Sequence, residues 1–447
     1  MTIENLYEIY LLHPSIQTDT RQLRPGDLFF ALKGPNFNGN QFAAKALELG
    51  AAYVILDEPP TAEPNPNAPS NRLILVPDVL TSLQDLALHH RQQFNIPFIA
   101  ITGSNGKTTT KELIHAVLSS TFTTYTTIGN LNNHIGIPLT ILSVGRDAQF
   151  AVIEMGANHQ QEIEGYCQYT LPTHGIITNI GKAHLEGFGG PEGVKKGKGE
   201  LYDFLRTHNG TAFVLTDSPD LPAMSQGIPH IVTYGTKDSD VTGNIQPTQD
   251  SFLHVNITHG AITGPIHTQL VGDYNLPNVL AAVAVGKHFG VPDDLIRRSI
   301  EAYTPSNSRS QLIEKDGLHI ILDAYNANPS SMRAAIENFA AMPVFSYDHP
   351  ITPQKSLARK VLILGAMAEL GPQSLDEHVG IVQLIAAHHG WQHVILVGGD
   401  FQKLGHPYLG FDTSKEAGQW LRNAHLKDAY LLIKGSRSMK MEDVLAE

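Results

Sequence analysis

A single cysteine, Cys167, stands among 447 residues, so no intrachain disulfide framework can form and no cysteine-rich metal site exists. That scarcity fits a reducing compartment. No apolar run approaches membrane-spanning length, and the chain does not open on a basic stretch followed by an apolar one. The expectation is a soluble cytoplasmic protein with no membrane insertion. Positive charge is the minority sign: 31 Lys and Arg face 43 Asp and Glu, a formal net charge of -12. This argues against a general nucleic-acid binder, while leaving room for small anionic ligands at a locally positive site. No short-period repeat, heptad pattern or low-complexity tail is visible, and nothing suggests an obligate interface, so a monomer is expected. With 42% hydrophobic and 17% charged residues, the chain has the balance of a globular enzyme and length for two or three domains.

What is present centres on residues 98–119, FIAITGSNGKTTTKELIHAVLS. The pattern predicts a strand, a turn carrying Gly103, Ser104, Asn105 and Gly106, and a helix opening at Lys107, Thr108 and Thr109. Backbone N–H groups at the positive end of a helix dipole make a site for phosphate oxygens. Lys107 supplies a point charge for the outer phosphates, and the Thr108 hydroxyl suits Mg²⁺. The segment points to ATP or GTP. It is not the standard phosphate loop, which needs a glycine where Ile101 stands.

Three regions follow from the pattern. In the first, residues 27–32 and 53–56 read as strands, and 40–49 as an amphipathic helix closed by Gly50. Residues 57–71, rich in Pro and Asn, read as an exposed loop, and 73–76 as a further strand. The second region alternates apolar strands with helical segments, as in a mostly parallel sheet. Its residues 231–270 are Thr-rich and alternating, which predicts antiparallel edge strands, and 275–290 reads as a helix ending at a glycine. The third region, from about Ser308, repeats apolar strands ending in polar or glycine-bearing loops, a second α/β unit.

Glu154 ends the strand AVIE and His184 follows GIITNI. Ligands in open α/β sheets bind beyond the carboxyl ends of the strands, so both are aimed at the phosphate-loop edge. Glu154 is either a hard oxygen ligand for Mg²⁺ or part of a buried salt bridge. Among 22 histidines a lone one carries little weight, so His184 by itself reads as a hydrogen-bonded loop residue before it reads as a ligand. Lys195, Lys196 and Lys198 read by default as a solvated face, with phosphate neutralisation as the alternative. Asn130, Asn132 and Asn133 suit sugar, peptide or base edges, or turn chemistry.

These segments together resemble the Mur ligase family, the ATP-dependent ligases that build the peptidoglycan stem peptide. The resemblance spans essentially the whole chain through TDTRQLRPGDLFFALKG, ITGSNGKTTTKE, NLNNHIGIPLT, IEMGAN, NIGKAHLEGFG, KGKGE, YNLPNVLAA, LDAYNANPSSM, LGAMAELG and KGSRSMKME, in the family's order. It implies three domains: a small α/β domain at 1–96 for the UDP end of the substrate, a central phosphate-loop ATPase domain at 97–307, and a Rossmann-like domain at 308–447. DAYNANPSSM and AELG resemble the branch that joins D-alanyl-D-alanine to UDP-N-acetylmuramoyl-tripeptide. The Asp-Asn-Pro-Arg motif usual in the branch that adds a diamino acid is absent.

The resemblance also implies roles. Lys107 and Thr108 match phosphate and first-Mg²⁺ positions, Glu154 the Mg²⁺-bridging carboxylate and His184 a second Mg²⁺ ligand. Lys198 matches a carbamylated lysine, an anion able to help hold that metal, which reverses its default reading. Asn278 and Arg309 match nucleotide contacts, and Asp323, Tyr325, Asn326 and Asn328 a third-domain segment that closes over ATP. Thr20 and Arg21 are candidates for the uridine or its phosphates, or a turn with a surface arginine. Lys434, Ser436 and Arg437 are candidates for peptide carboxylates, or an exposed loop. Three departures stand out: Ser308 precedes Arg309 where glycine is usual, Ala366 replaces a common Asp, and Asn38 and Asn40 replace Asp and His. The alternatives are another ligase of the superfamily, diamino-acid-adding or folylpolyglutamate-type, a phosphate-loop kinase, and a non-catalytic binding protein.

Overall fold

The computed structural model describes residues 1–446 apart from 60–69, 249, 261–263, 307, 343, 347–348 and 355–358. The expected loop at 57–71 therefore lies mostly outside the described residues. The chain forms two compact units. The first comprises Met1–Ala100, Phe122–Ala157 and Glu162–Gly175, and the second Ile101–Thr121, Asn158–Gln161 and Ile176–Glu447.

The first unit opens with a parallel four-stranded sheet, β1 (Ile16–Gln17), β2 (Leu28–Phe30), β3 (Tyr53–Leu56) and β4 (Leu73–Leu75), in that order. Phe29, Val54 and Leu56 pack on Ala43 and Ala46 of the Ala43–Glu48 helix. That helix is shorter than its pattern predicts, because a 3-10 turn occupies Gly39–Phe42. Asn38 Oδ1 accepts from Asn40 N at 3.0 Å, and Asn40 Nδ2 donates to Asp57 at 2.8 Å. Asn38 Nδ2 reaches Glu58 at 2.8 Å. The two unusual asparagines thus tie the turn to the end of β3.

This unit also holds the first residues of β5 (Phe98–Thr102) together with β6 (Thr124–Thr126), β7 (Phe150–Glu154) and the start of β8 (His174–Ile177), ordered β8-β5-β7-β6. All five residues of β5 and of β7 are buried, the signature of parallel strands covered on both faces.

In the second unit the order is β13-β12-β11-β10-β9-β8-β5, with β9 (Thr211–Leu215), β10 (His230–Gly235), β11 (Val241–Gln246), β12 (Phe252–His259) and β13 (Ile266–Val271). Strands β11 to β13 are antiparallel, as expected. β10 is not: it pairs parallel with β9 over five residues and with β11 over two. The crossover through the Leu221–Met224 helix returns the chain to the same end of the sheet, which forces the parallel direction. Helix α1 (Lys107–Ser119) follows β5, helix α2 is Pro191–Thr207, and helix α3 (Leu276–His288) precedes Gly290 in left-handed backbone.

The same unit carries a six-stranded sheet, β14 (Gln311–Lys315), β15 (Leu318–Asp323), β16 (Lys360–Gly365), β17 (His393–Val397), β18 (Leu409–Phe411) and β19 (Tyr430–Lys434), ordered β14-β15-β19-β16-β17-β18. Only β14 is antiparallel. Ile320, Val361, Ile363, Ile395, Leu431 and Ile433 form its core, a Rossmann-like arrangement with helices α4 (Pro329–Ala341) and α5 (Ser374–Ala387) alongside. Lys360 is fully buried, yet its ammonium is satisfied by Phe339 O at 2.7 Å and Ala340 O at 2.9 Å at the C-terminus of α4.

Candidate active site

The phosphate loop is built as its residues demand. Gly103 has φ 138°, and a Cβ there would stand 2.0 Å from Thr178 Oγ1. Gly106 has φ 78°, and its Cβ would meet Asn278 Oδ1 at 2.7 Å. No side chain other than glycine's fits either position without displacing a neighbour. Gly106 is also the N-cap of α1 and offers no side-chain acceptor, and a helix N-terminus of this kind suits an anion. Lys107 Nζ donates to Gly103 O at 2.7 Å and Ser104 O at 3.4 Å, so the cation lies across its own loop.

The loop is held from several sides. Ser104 Oγ donates to Gly181 O at 3.0 Å, and Asn105 N donates to Asn179 Oδ1 at 3.0 Å. Thr178 Oγ1 donates to Asn105 O at 2.6 Å. Asn278, 7% exposed, accepts from Thr110 Oγ1 at 3.0 Å and donates to Asn275 at 2.9 Å. Its amide therefore braces the loop from behind. Thr108 is buried in the first turn beside half-buried Thr109.

The DAYNANPSSM segment meets this loop directly. Asn328 caps α4, accepting from Ser331 N at 2.9 Å, and its Nδ2 donates to Asn105 Oδ1 at 2.7 Å. Lys182 N donates to Ser330 Oγ at 3.0 Å, and Lys182 Nζ pairs with Glu377. Asp323 accepts from Lys434 Nζ at 2.6 Å, and Lys434 also donates to Asn326 O at 3.2 Å. Ser436 Oγ donates to Ala366 O at 2.6 Å. Lys434 and Ser436 thus have polar partners inside the fold. Arg437 pairs with Glu442 at 2.7 Å, and the Arg309 guanidinium lies 3.6 Å from the Tyr325 ring centre.

Ser308 has φ 55°, a left-handed backbone that glycine adopts without strain. Ser308→Gly is expected to raise stability by up to ~1 kcal/mol, read as a higher denaturant midpoint; a lower midpoint would show that the serine contributes contacts exceeding its strain.

His184, φ 52°, donates its Nδ1–H to the Glu369 carboxylate. The hydrogen bond from His184 holds the Glu369 carboxyl below its ordinary range. Lys198 lies in α2 and is 1% exposed, with Nζ 4.9 Å from the Phe188 ring centre. This is no solvated face. Its neighbour Gly197 is required because a Cβ would stand 2.5 Å from Phe188 Cε1.

In the first unit, Glu154 ends β7 and is 1% exposed. Asn132 Nδ2 donates to its Oε1 at 2.8 Å, and its own N–H donates to Thr127 Oγ1 at 3.0 Å. Oε2 is buried and has no hydrogen-bond partner among the described residues. A buried carboxylate oxygen left this way suits a hard cation. Asn133 accepts from Ile135 N and Gly136 N and shapes the turn. Arg21 is 87% exposed and pairs with Asp19 at 2.6 Å, beside Thr20.

Thr127, Asn179 and Glu369 were not singled out by the sequence. The first two are polar residues at strand ends, and only AELG marked the third.

Three family models match the chain: a Mur ligase family catalytic domain at 14–91, a Mur ligase middle domain at 101–286 and a Mur ligase glutamate ligase domain at 308–437. The chain is 34% identical to the UDP-N-acetylmuramoyl-tripeptide–D-alanyl-D-alanine ligase of Bacillus subtilis, over 99% of this chain and 94% of that protein. It is 31% identical to MurF from Acinetobacter baumannii, with a TM-score of 0.83 and coverage of 97% and 92%. MurF ligase from Thermotoga maritima in complex with ADP has 26% identity and a TM-score of 0.83, covering 97% of each chain. The chain belongs to the Mur ligase family.

Proposed function

We infer that this chain joins D-alanyl-D-alanine to UDP-N-acetylmuramoyl-tripeptide in an ATP-driven step of peptidoglycan synthesis. The observation that carries the inference is the near-full-length similarity to relatives of that name, on a phosphate loop whose glycine geometry is intact. A terminal carboxylate of the tripeptide attacks the γ-phosphorus of ATP, giving an acyl phosphate and ADP. The amine of the dipeptide then adds to the acyl carbon and loses a proton. The tetrahedral intermediate expels inorganic phosphate and leaves the new amide. Phosphorylation is needed because a carboxylate is a poor electrophile with no leaving group.

This chain's residues supply charge and position. Lys107 and the α1 N-terminus hold the phosphates. Asn105, tied to Asn328, registers the loop against the DAYNANPSSM segment. Arg309 on Tyr325 is the proposed γ-phosphate contact. Mg²⁺, when bound, would screen the repulsion between carboxylate and γ-phosphate. Its proposed holders are Thr108, Glu154 and His184, with Lys198 if carbamylated. Thr20, Arg21, Asn132, Asn133 and Asn326 are proposed substrate contacts, as is Arg437. Lys434 and Ser436 take that role only by exchanging the partners described above. The domain limits 1–96, 97–307 and 308–447 are likewise proposed. Among the described residues no helix is long and apolar enough to cross a membrane. The reading places the enzyme in the cytoplasm as a monomer.

The test is phosphate release from purified protein given ATP and UDP-N-acetylmuramoyl-tripeptide, with D-alanyl-D-alanine or single amino acids as acceptor. Release with the dipeptide alone, and a product heavier by the dipeptide less water, is expected. Release with a single amino acid instead would move the chain to another branch, and a stable phosphorylated product without any acceptor would make it a kinase.

A further inference from the structure

His184 and Glu369 are both in left-handed backbone, at φ 52° and 60°, though neither is glycine. Such a conformation costs a non-glycine residue about 1–2 kcal/mol. The two strained residues face each other, with His184 Nδ1 bonded to the Glu369 carboxylate. The surrounding backbone docks without that contact: Glu186 N donates to Glu369 O at 3.2 Å, and a Cβ on Gly371 would lie 3.2 Å from Glu186 Cβ. Lys182 and Glu377 pair alongside. The Glu369 side chain is 52% exposed, and ion pairs so exposed contribute only ~0–1 kcal/mol to stability. Stability does not account for the arrangement.

The bond does fix a tautomer. A carboxylate only accepts, so Nδ1 must carry the proton, and in the neutral ring Nε2 then keeps its lone pair. Free imidazole side chains prefer the opposite tautomer, and histidines that ligate metals through Nε2 commonly donate Nδ1–H to a carboxylate.

We propose that Glu369 is a positioning residue for His184: it keeps the Nε2 lone pair available to a cation, and does so only while the 366–371 loop lies against residues 181–187. This rests on the reading of His184 as a metal ligand. The ligand is then completed by the third region of the chain, so a loop that has not docked leaves the histidine in the wrong tautomer and orientation.

The test uses full-length, metal-free protein labelled with ¹⁵N-histidine, at a pH where the ring is neutral. Long-range ¹H–¹⁵N correlation reports the tautomer, and His184→Gln identifies the signal. The wild type should show Nδ1–H, Glu369→Gln should keep it through its amide oxygen, and Glu369→Ala should shift to Nε2–H. In turnover, Glu369→Ala should lose about 10–100-fold in kcat, with more Mg²⁺ needed for half-maximal rate and KM for the dipeptide little changed. An unchanged tautomer in Glu369→Ala, or a changed one with unaltered kcat, would overturn the proposal. Normal turnover by His184→Gln would overturn the ligand reading itself; a crippled His184→Gln beside an unimpaired Glu369→Ala overturns the positioning role alone.

Discussion

Lys107→Ala should reduce ATP-dependent phosphate release by at least ~10³-fold while melting close to the parent temperature. The side chain is half-buried and its ammonium donates to Gly103 O and Ser104 O, carbonyls of its own loop. Its value lies in the charge it offers as negative charge builds between the β- and γ-phosphates. No other cation of the loop replaces it: Ser104, Asn105, Thr108 and Thr109 are neutral. Steady-state phosphate release with saturating dipeptide, alongside thermal denaturation, checks both halves. Normal turnover would remove the phosphate-loop assignment, and a collapsed melting temperature would show that the lysine is structural.

Lys198→Ala should be impaired by about 10²-fold or more and regain part of its activity with added acetate or formate. A lysine 1% exposed on α2 cannot be a solvated charge. Reaction of its neutral amine with CO₂, with loss of a proton, converts it into a carbamate whose oxygens can accept a metal or a hydrogen bond. A short carboxylate diffusing into the vacated space mimics that group. Rescue that saturates with carboxylate concentration is the expected result. Activity equal to wild type without any addition would eliminate the carbamate, and a dead variant with no response to any short acid would leave the lysine as packing against Phe188.

Much of this was legible from residue order. The run FIAIT before GSNGKT had to be a buried strand feeding a helix, because both the apolar continuity and the glycine positions admit little else. The third region's four apolar strands, each ending in a polar loop, likewise announced its sheet. Three features were not legible. β10 reads as an alternating edge strand, and its parallel direction depends on a distant crossover that no local period encodes. Lys198 sits among lysines and looks solvated, since a helix face is decided by what packs on it, here Phe188. Glu369 has an ordinary neighbourhood, and its partnership with His184 joins residues far apart in the chain through backbone conformations that only tertiary contacts can enforce.

Gly103 carries a consequence for inhibition. A side chain at this position would collide with Thr178 Oγ1 at 2.0 Å and approach Thr178 N at 3.0 Å. A compound gripping the peptide groups of residues 103–106 therefore holds atoms that mutation cannot delete and a shape that mutation cannot pad without wrecking the pocket ATP itself needs. Escape from such a compound would have to arise in its outer contacts. An inhibitor whose affinity resides in the loop backbone should face fewer viable resistance alleles than one anchored on exposed side chains such as Glu369 or Arg21.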